Sequence, residues 1–219
     1  MKIYHGSKTM IEHPSVKGSN ETNDYGPSFY MTTDLEAAKS WACKNNSLGI
    51  INEYEIKDAS FARLKVLDLT NKDRFSVLNW MAILMRFREL DSSFRKNNQI
   101  TLDWLQKYYV DVDDYDVVKG FRADDSYFRF PLRFISNDLA FDDLEDVFLS
   151  GHLGIQYAFM SERSIKMLSF RRTIECGDEY LGHYYSVVTK ASQQFNEYLN
   201  QPRDPKKKYI LDLMREEHE

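Results

Sequence analysis

β-prone and helix-prone stretches follow one another along this chain without a regular beat, and that order limits the fold more than any single motif does. β-prone runs lie at 1–5, 29–32, 49–56, 62–69, 116–119 and 156–160. Apolar residues at helical spacing mark about 33–45, 72–89, 102–109, 137–149, 161–170 and 182–199. The strict strand–helix alternation that winds a parallel sheet is missing, so the pattern predicts a mixed α+β fold. Residues 7–28, rich in Ser, Asn, Gly, Pro, Asp and Lys, read as a loop that either covers a ligand or is simply solvated.

The stretch 26–41 is the best defined unit. A Gly26-Pro27 turn leads into the short strand, and Thr33 and Glu36 stand at capping-box spacing for the helix that follows. Leu35, Ala38 and Ala42 share one side of that helix, with Ala37 and Trp41 adjoining. A strand that feeds directly into a helix places Tyr30 at the lip of a cleft, where the small Ala37 and Ala38 permit close approach.

A chain of 219 residues suits one domain, or one with a large insertion, and can bury a core without disulfides or metal. A net charge of -5 argues against a broad electrostatic grip on nucleic acid. Cys43 and Cys176 form no metal-ligand spacing and suit a reducing compartment. There is neither a dinucleotide-binding nor a P-loop glycine fingerprint. No apolar leader follows Met1 and no run approaches a membrane span, so a cytoplasmic protein with no membrane partner is expected.

Two local patterns have plain accounts. Asp111, Asp113, Asp114 and Asp116 lack the Gly and distal Glu of a calcium loop and read as a solvated acidic loop. Arg122, Arg129 and Arg133 interleave with Phe128, Phe130 and Phe134. That suggests either a basic–aromatic groove for single-stranded nucleic acid or, more simply, an amphipathic strand.

Three motifs then stand in order: Tyr4-His5-Gly6-Ser7, Gly26-Pro27-Ser28-Phe29-Tyr30 with Trp41 eleven residues further on, and Gln156-Tyr157 before a helix that Ser161 would cap. Together they resemble the His-Tyr-Glu branch of the ADP-ribosyltransferases, the branch of diphtheria toxin and the poly(ADP-ribose) polymerases. They are most similar to a little-characterised bacterial subfamily. Each motif also has a structural account, as a strand histidine, core aromatics and a strand-edge amide.

The resemblance implies an α+β fold, a split pair of small β-sheets around an NAD cleft. Residues 1–175 would form the domain, with a helical insertion at 72–109 taking no part in NAD chemistry, and 176–219 would be a C-terminal helical extension. NAD would be a substrate. His5 would bond a ribose hydroxyl, the Gly6 backbone would clamp the carboxamide, and Ser7 would complete that motif. Tyr30 and Trp41 would close on the two nicotinamide faces. The resemblance departs from its pattern at Gln156, where a catalytic Glu is expected. An amide accepts a hydrogen bond but is no base, so mono- rather than poly-ADP-ribosyl transfer is implied. The base would then come from the target, Glu162, Asp124 or Asp125. The acceptor would be a protein or nucleic acid, read by the loop 150–155 with His152. An intracellular toxin or defence role, with an inhibitory antitoxin protein, is implied by resemblance alone. A non-catalytic NAD- or ADP-ribose-binding module and an NAD glycohydrolase are the alternatives.

Overall fold

The computed structural model describes residues 1–44, 47–123, 127–149 and 154–217. In chain order the strands are β1 (Lys2–Ser7), β2 (Phe29–Met31), β3 (Ile50–Glu55), β4 (Val66–Asp68), β5 (Val117–Phe121), β6 (Ile155–Phe159) and β7 (Ser169–Glu175). The helices are α1 (Leu35–Ala42), α2 (Asp58–Phe61), α3 (Val77–Phe87), α4 (Ser92–Asn97), α5 (Gln99–Leu105), α6 (Arg129–Ile135), α7 (Phe141–Leu149), α8 (Glu162–Ile165), α9 (His183–Leu199) and α10 (Ile210–Glu216). The fold is mixed α+β with two small sheets. One is antiparallel in the order β1-β3-β7; the other runs β2-β6-β5-β4 and is antiparallel except at β4–β5. Tyr4 and Thr32 exchange backbone hydrogen bonds at 2.8 and 2.9 Å and link β1 to the end of β2.

Period-2 burial explains how the sheets meet. Ile3 and Tyr54 on the first sheet pack against Phe29, Met31, Val117 and Phe159 on the second, all buried. Behind the first sheet, α1 lays Ala38 and Ala42 against Ile51, Cys43 and Cys176. The largest cluster joins α3, α5, α6, α7, α9 and α10 to the far side of the second sheet around the fully buried Trp80 and Phe130. The helical block and the C-terminal helices therefore share a core with the strands. The indole N–H of Trp80 donates to the Phe121 carbonyl at 3.1 Å, tying α3 to β5.

Several local expectations are corrected. The cap of α1 is Asp34, not Thr33: its Oδ1 accepts from the Glu36 and Ala37 amides at 2.9 and 3.2 Å. A carboxylate there serves both the orphan amides and the helix dipole. The β-prone run 62–69 yields only Val66–Asp68, because Phe61–Leu64 are taken up in the turns that close α2. The Arg/Phe pattern at 127–134 is not a strand. Phe130 and Phe134, four apart, face the core on α6, Arg129 lies 4.1 Å over the Phe195 ring, and Arg133 pairs with Asp138 at 3.0 Å. Ser161 does cap a helix, but it ends at Ile165 and the chain turns back into β7. Asp116, read as part of a solvated loop, is buried and accepts from the Lys65 amide, Ser161 and Arg163. The C-terminal tail docks on the core: Ile210 is fully buried and Glu217 accepts from the Trp104 indole at 2.7 Å.

Candidate functional site

Where β1, β2 and β6 come together with α1, the chain leaves a cavity of about 570 Å³, within the usual range for small-molecule sites. His5, Gly6, Tyr30, Trp41 and Gln156 line it. Ser7 does not: its hydroxyl accepts from Asn52 Nδ2 at 2.9 Å and donates to the Thr9 carbonyl at 2.5 Å, closing the turn after β1.

His5 leaves the strand on the face opposite Tyr4 and stacks on Phe29, ring centroids 4.3 Å apart. Its Nδ1 is 2.7 Å from the Tyr30 carbonyl, which can only accept, so Nδ1 carries the proton. Burial pushes the imidazole below its ordinary value of 6.5, against the pull of that carbonyl. The ring is thus neutral, with Nε2 as an acceptor.

Gly6 has two roles. A Cβ there would sit 2.4 Å from the Ala38 carbonyl oxygen and 2.9 Å from the Ala42 nitrogen, so α1 can pack on β1 only over a glycine. By strand alternation its N–H and C=O also point to the side on which Tyr4 bonds Thr32, beyond that bridge and toward the cavity.

The Tyr30 hydroxyl is committed. It donates to the Gly26 carbonyl at 2.8 Å and accepts from the Tyr25 amide at 2.9 Å, and burial raises its pKa well above 10. Its ring, not its hydroxyl, is what it offers a ligand. Gly26 allows this loop by its φ of +78° and by leaving room for Phe87, whose ring atom would lie 2.6 Å from a Cβ. Trp41 is 37% exposed, with the Arg122 guanidinium 4.0 Å over its ring and the Tyr184 edge nearby.

Gln156 is buried on β6. Its Nε2 donates to Asp24 Oδ2 at 2.8 Å and to the Phe121 carbonyl at 3.3 Å. Asp24 is the residue that sequence reasoning missed. It comes from the polar loop 7–28, yet it is only 7% exposed and lines the same cavity. Its Oδ2 also accepts from the Ala123 amide at 2.9 Å, and Arg88 stands 3.7 Å from Oδ1. Burial raises the Asp24 carboxyl above its ordinary value, while the Ala123 amide, Arg88, Gln156 and Arg122 pull it back. Nothing in the run Asn23-Asp24-Tyr25 distinguishes it from a solvated turn; only the anchoring of Tyr25, whose hydroxyl donates to the Phe121 carbonyl at 2.6 Å, brings it inside.

Of the other carboxylates considered as bases, Glu162 is exposed at the start of α8, outside the cavity lining, and Asp124 and Asp125 lie outside the described residues. So does His152, with most of the loop before Gln156. From the block 72–109, expected to take no part in NAD chemistry, Arg88 at the end of α3 stands in the cavity wall. Among the described residues no group of three or more His, Cys, Asp or Glu could hold a metal ion, and no helix is long and apolar enough to cross a membrane.

Residues 1–170, which include every residue of the cavity wall, match a family described as a protein of unknown function, DUF3990. No curated protein and no solved structure matches the chain.

Proposed function

The chain belongs to the DUF3990 family, whose function is unknown, and on the chemistry of its cleft we propose that it is an NAD-dependent mono-ADP-ribosyltransferase acting on a macromolecular acceptor. The observation that carries this reading is convergence. His5, Gly6, Tyr30, Trp41 and Gln156, drawn from three motifs far apart in the chain, line one cavity. On this reading the two small sheets are the split pair that flanks an NAD cleft.

Each wall suits a part of the dinucleotide. The neutral His5 Nε2 accepts from a ribose hydroxyl. The Gly6 N–H and C=O match the acceptor and donor of the carboxamide. The Tyr30 ring, locked by its hydroxyl, offers a flat face to the nicotinamide. Arg88 and Arg122, both in the wall, supply positive charge for the diphosphate. Gln156 Oε1 accepts from a hydroxyl of the nicotinamide ribose. In the reaction the bond from ribose C1′ to the nicotinamide nitrogen breaks, and its electron pair leaves with neutral nicotinamide. An oxygen or nitrogen of the acceptor bonds to C1′ and releases its proton to water at the mouth. A buried carboxylate beside Gln156 favours turnover over simple binding.

The test is incubation of the protein with labelled NAD, alone and in cell extract. Nicotinamide release, with label that becomes sensitive to protease or to nuclease, supports transfer and identifies the acceptor class. Release without label on any macromolecule means hydrolysis. Binding without release means a binding module, and absence of both binding and release overturns the reading.

A further inference from the structure

We propose that Asp24 and Gln156 act as one carboxylate–amide unit, in which Asp24 supplies the negative charge that stabilises the cation developing on the ribose and Gln156 supplies the contact. This deepens the NAD reading above and rests on it. Asp24 is a positioning residue, acting through Gln156.

The geometry assigns the amide without ambiguity. Two acceptors hold the Gln156 amide nitrogen, the Asp24 carboxylate at 2.8 Å and the Phe121 carbonyl at 3.3 Å. Both amide hydrogens are therefore directed into the protein, and Oε1 is the polar atom left for a ligand. An amide that donates to an ionised carboxylate is polarised, and its oxygen becomes a better acceptor. A ribose hydroxyl donating to Oε1 is then connected through two hydrogen bonds to the Asp24 carboxylate. That connection gains strength as the C1′–N bond breaks and positive charge grows on the ribose. The low exposure of Asp24 keeps water from diluting the effect.

The groups that face Asp24 are Arg88 at the end of α3, Arg122 after β5, and the hydroxyl-bearing Tyr25 and Tyr30. The two tyrosines are neutral near pH 7. Arg88 forms an ion pair with Oδ1 at 3.7 Å, and the close contacts to Oδ2 are both neutral N–H donors. A glutamate at position 156 would bring a second carboxylate against Asp24, where the two could not both ionise. The amide at 156 and the acid at 24 are thus a matched pair.

The experiment compares the parent chain, Asp24→Asn, Gln156→Glu and the double exchange. It measures NAD affinity by calorimetry and nicotinamide release as kcat and KM across pH. Asp24→Asn should keep NAD affinity and KM while losing on the order of 10²-fold in kcat. Gln156→Glu should show a new ionisation in its pH profile, as two carboxylates share one proton. The double exchange, with the charge restored on the other partner, should recover most of the lost rate. A parent that releases no nicotinamide overturns the NAD reading and this inference with it. A parent that does so, matched by Asp24→Asn, overturns this inference alone, as does a double exchange no better than either single change. Should Asp24→Asn fail to fold, a Gln156→Glu profile without a new ionisation is the overturning result.

Discussion

One absent methyl group governs how closely β1 and α1 meet. Because a Cβ on Gly6 would reach within 2.4 Å of the Ala38 backbone oxygen, no side-chain rotation relieves the overlap and the helix must shift. Gly6→Ala is expected to destabilise the fold by about 1–3 kcal/mol, seen as a lower midpoint in chemical denaturation; an unchanged midpoint would show that α1 yields easily. Asp24 has the opposite sign. Its carboxyl is raised by burial, so the folded state binds more protons than the unfolded chain above the ordinary value of 3.8. Stability contributed by this group declines as pH rises through its folded pKa. Asp24→Asn, which keeps an oxygen for the Ala123 and Gln156 donors, should therefore melt no lower than the parent at neutral pH, with any gain fading in acid. His5 works from the other side. Its imidazole is depressed below 6.5, so as pH falls through 6.5 the unfolded chain takes up a proton that the folded ring declines. Stability is lost over that window down to the folded pKa. Melting curves of the parent and His5→Asn between about pH 5 and 8 should converge toward acid.

At the scale of elements, α1 depends on its cap. Asp34→Ala removes the acceptor of two amides and should destabilise by about 1 kcal/mol, whereas Thr33→Ala should fall within experimental error. Equal effects in thermal melts would mean that the cap is shared. The α3 block joins fold to site. Trp80 anchors it to β5, and Phe87 and Arg88 at its end reach the loop that carries Asp24. If Arg88 meets the diphosphate, Arg88→Ala should weaken NAD binding and leave binding of nicotinamide riboside, which has no phosphate, unaltered. Equal weakening of both ligands in calorimetry would place Arg88 elsewhere in the site.

At the scale of the molecule, the C-terminal helices support the core without entering the cavity wall. Ile210 is fully buried in the cluster that holds Phe130 and Trp80, so Ile210→Ala should destabilise by about 2–5 kcal/mol. NAD affinity measured well below the melting temperature should not change; a parallel loss would show coupling between tail and cleft. What the sequence by itself determined were the properties carried by neighbouring residues. The long helices at 77–87 and 183–199 were legible from apolar spacing. The mixed α+β class followed from the order of the runs; that His5, Tyr30, Trp41 and Gln156 belong together was implied by the resemblance to the ADP-ribosyltransferases, and they do line one cavity. The Thr33–Glu36 spacing points to a cap one residue too early, because capping-box spacing alone does not show which side chain reaches the free amides; Asp34 does. The 127–134 run was misread because phenylalanines at positions 128, 130 and 134 fit a strand's alternation as well as the four-residue spacing of a helix face. Only the tertiary structure decided that Ser7 stays out of the cavity, that Arg88 enters it, and that Asp24 meets Gln156 across 132 residues of chain. The physical reason is that a carboxylate's role depends on whether water is removed from it and which donors replace that water, and both depend on contacts between segments distant in the chain.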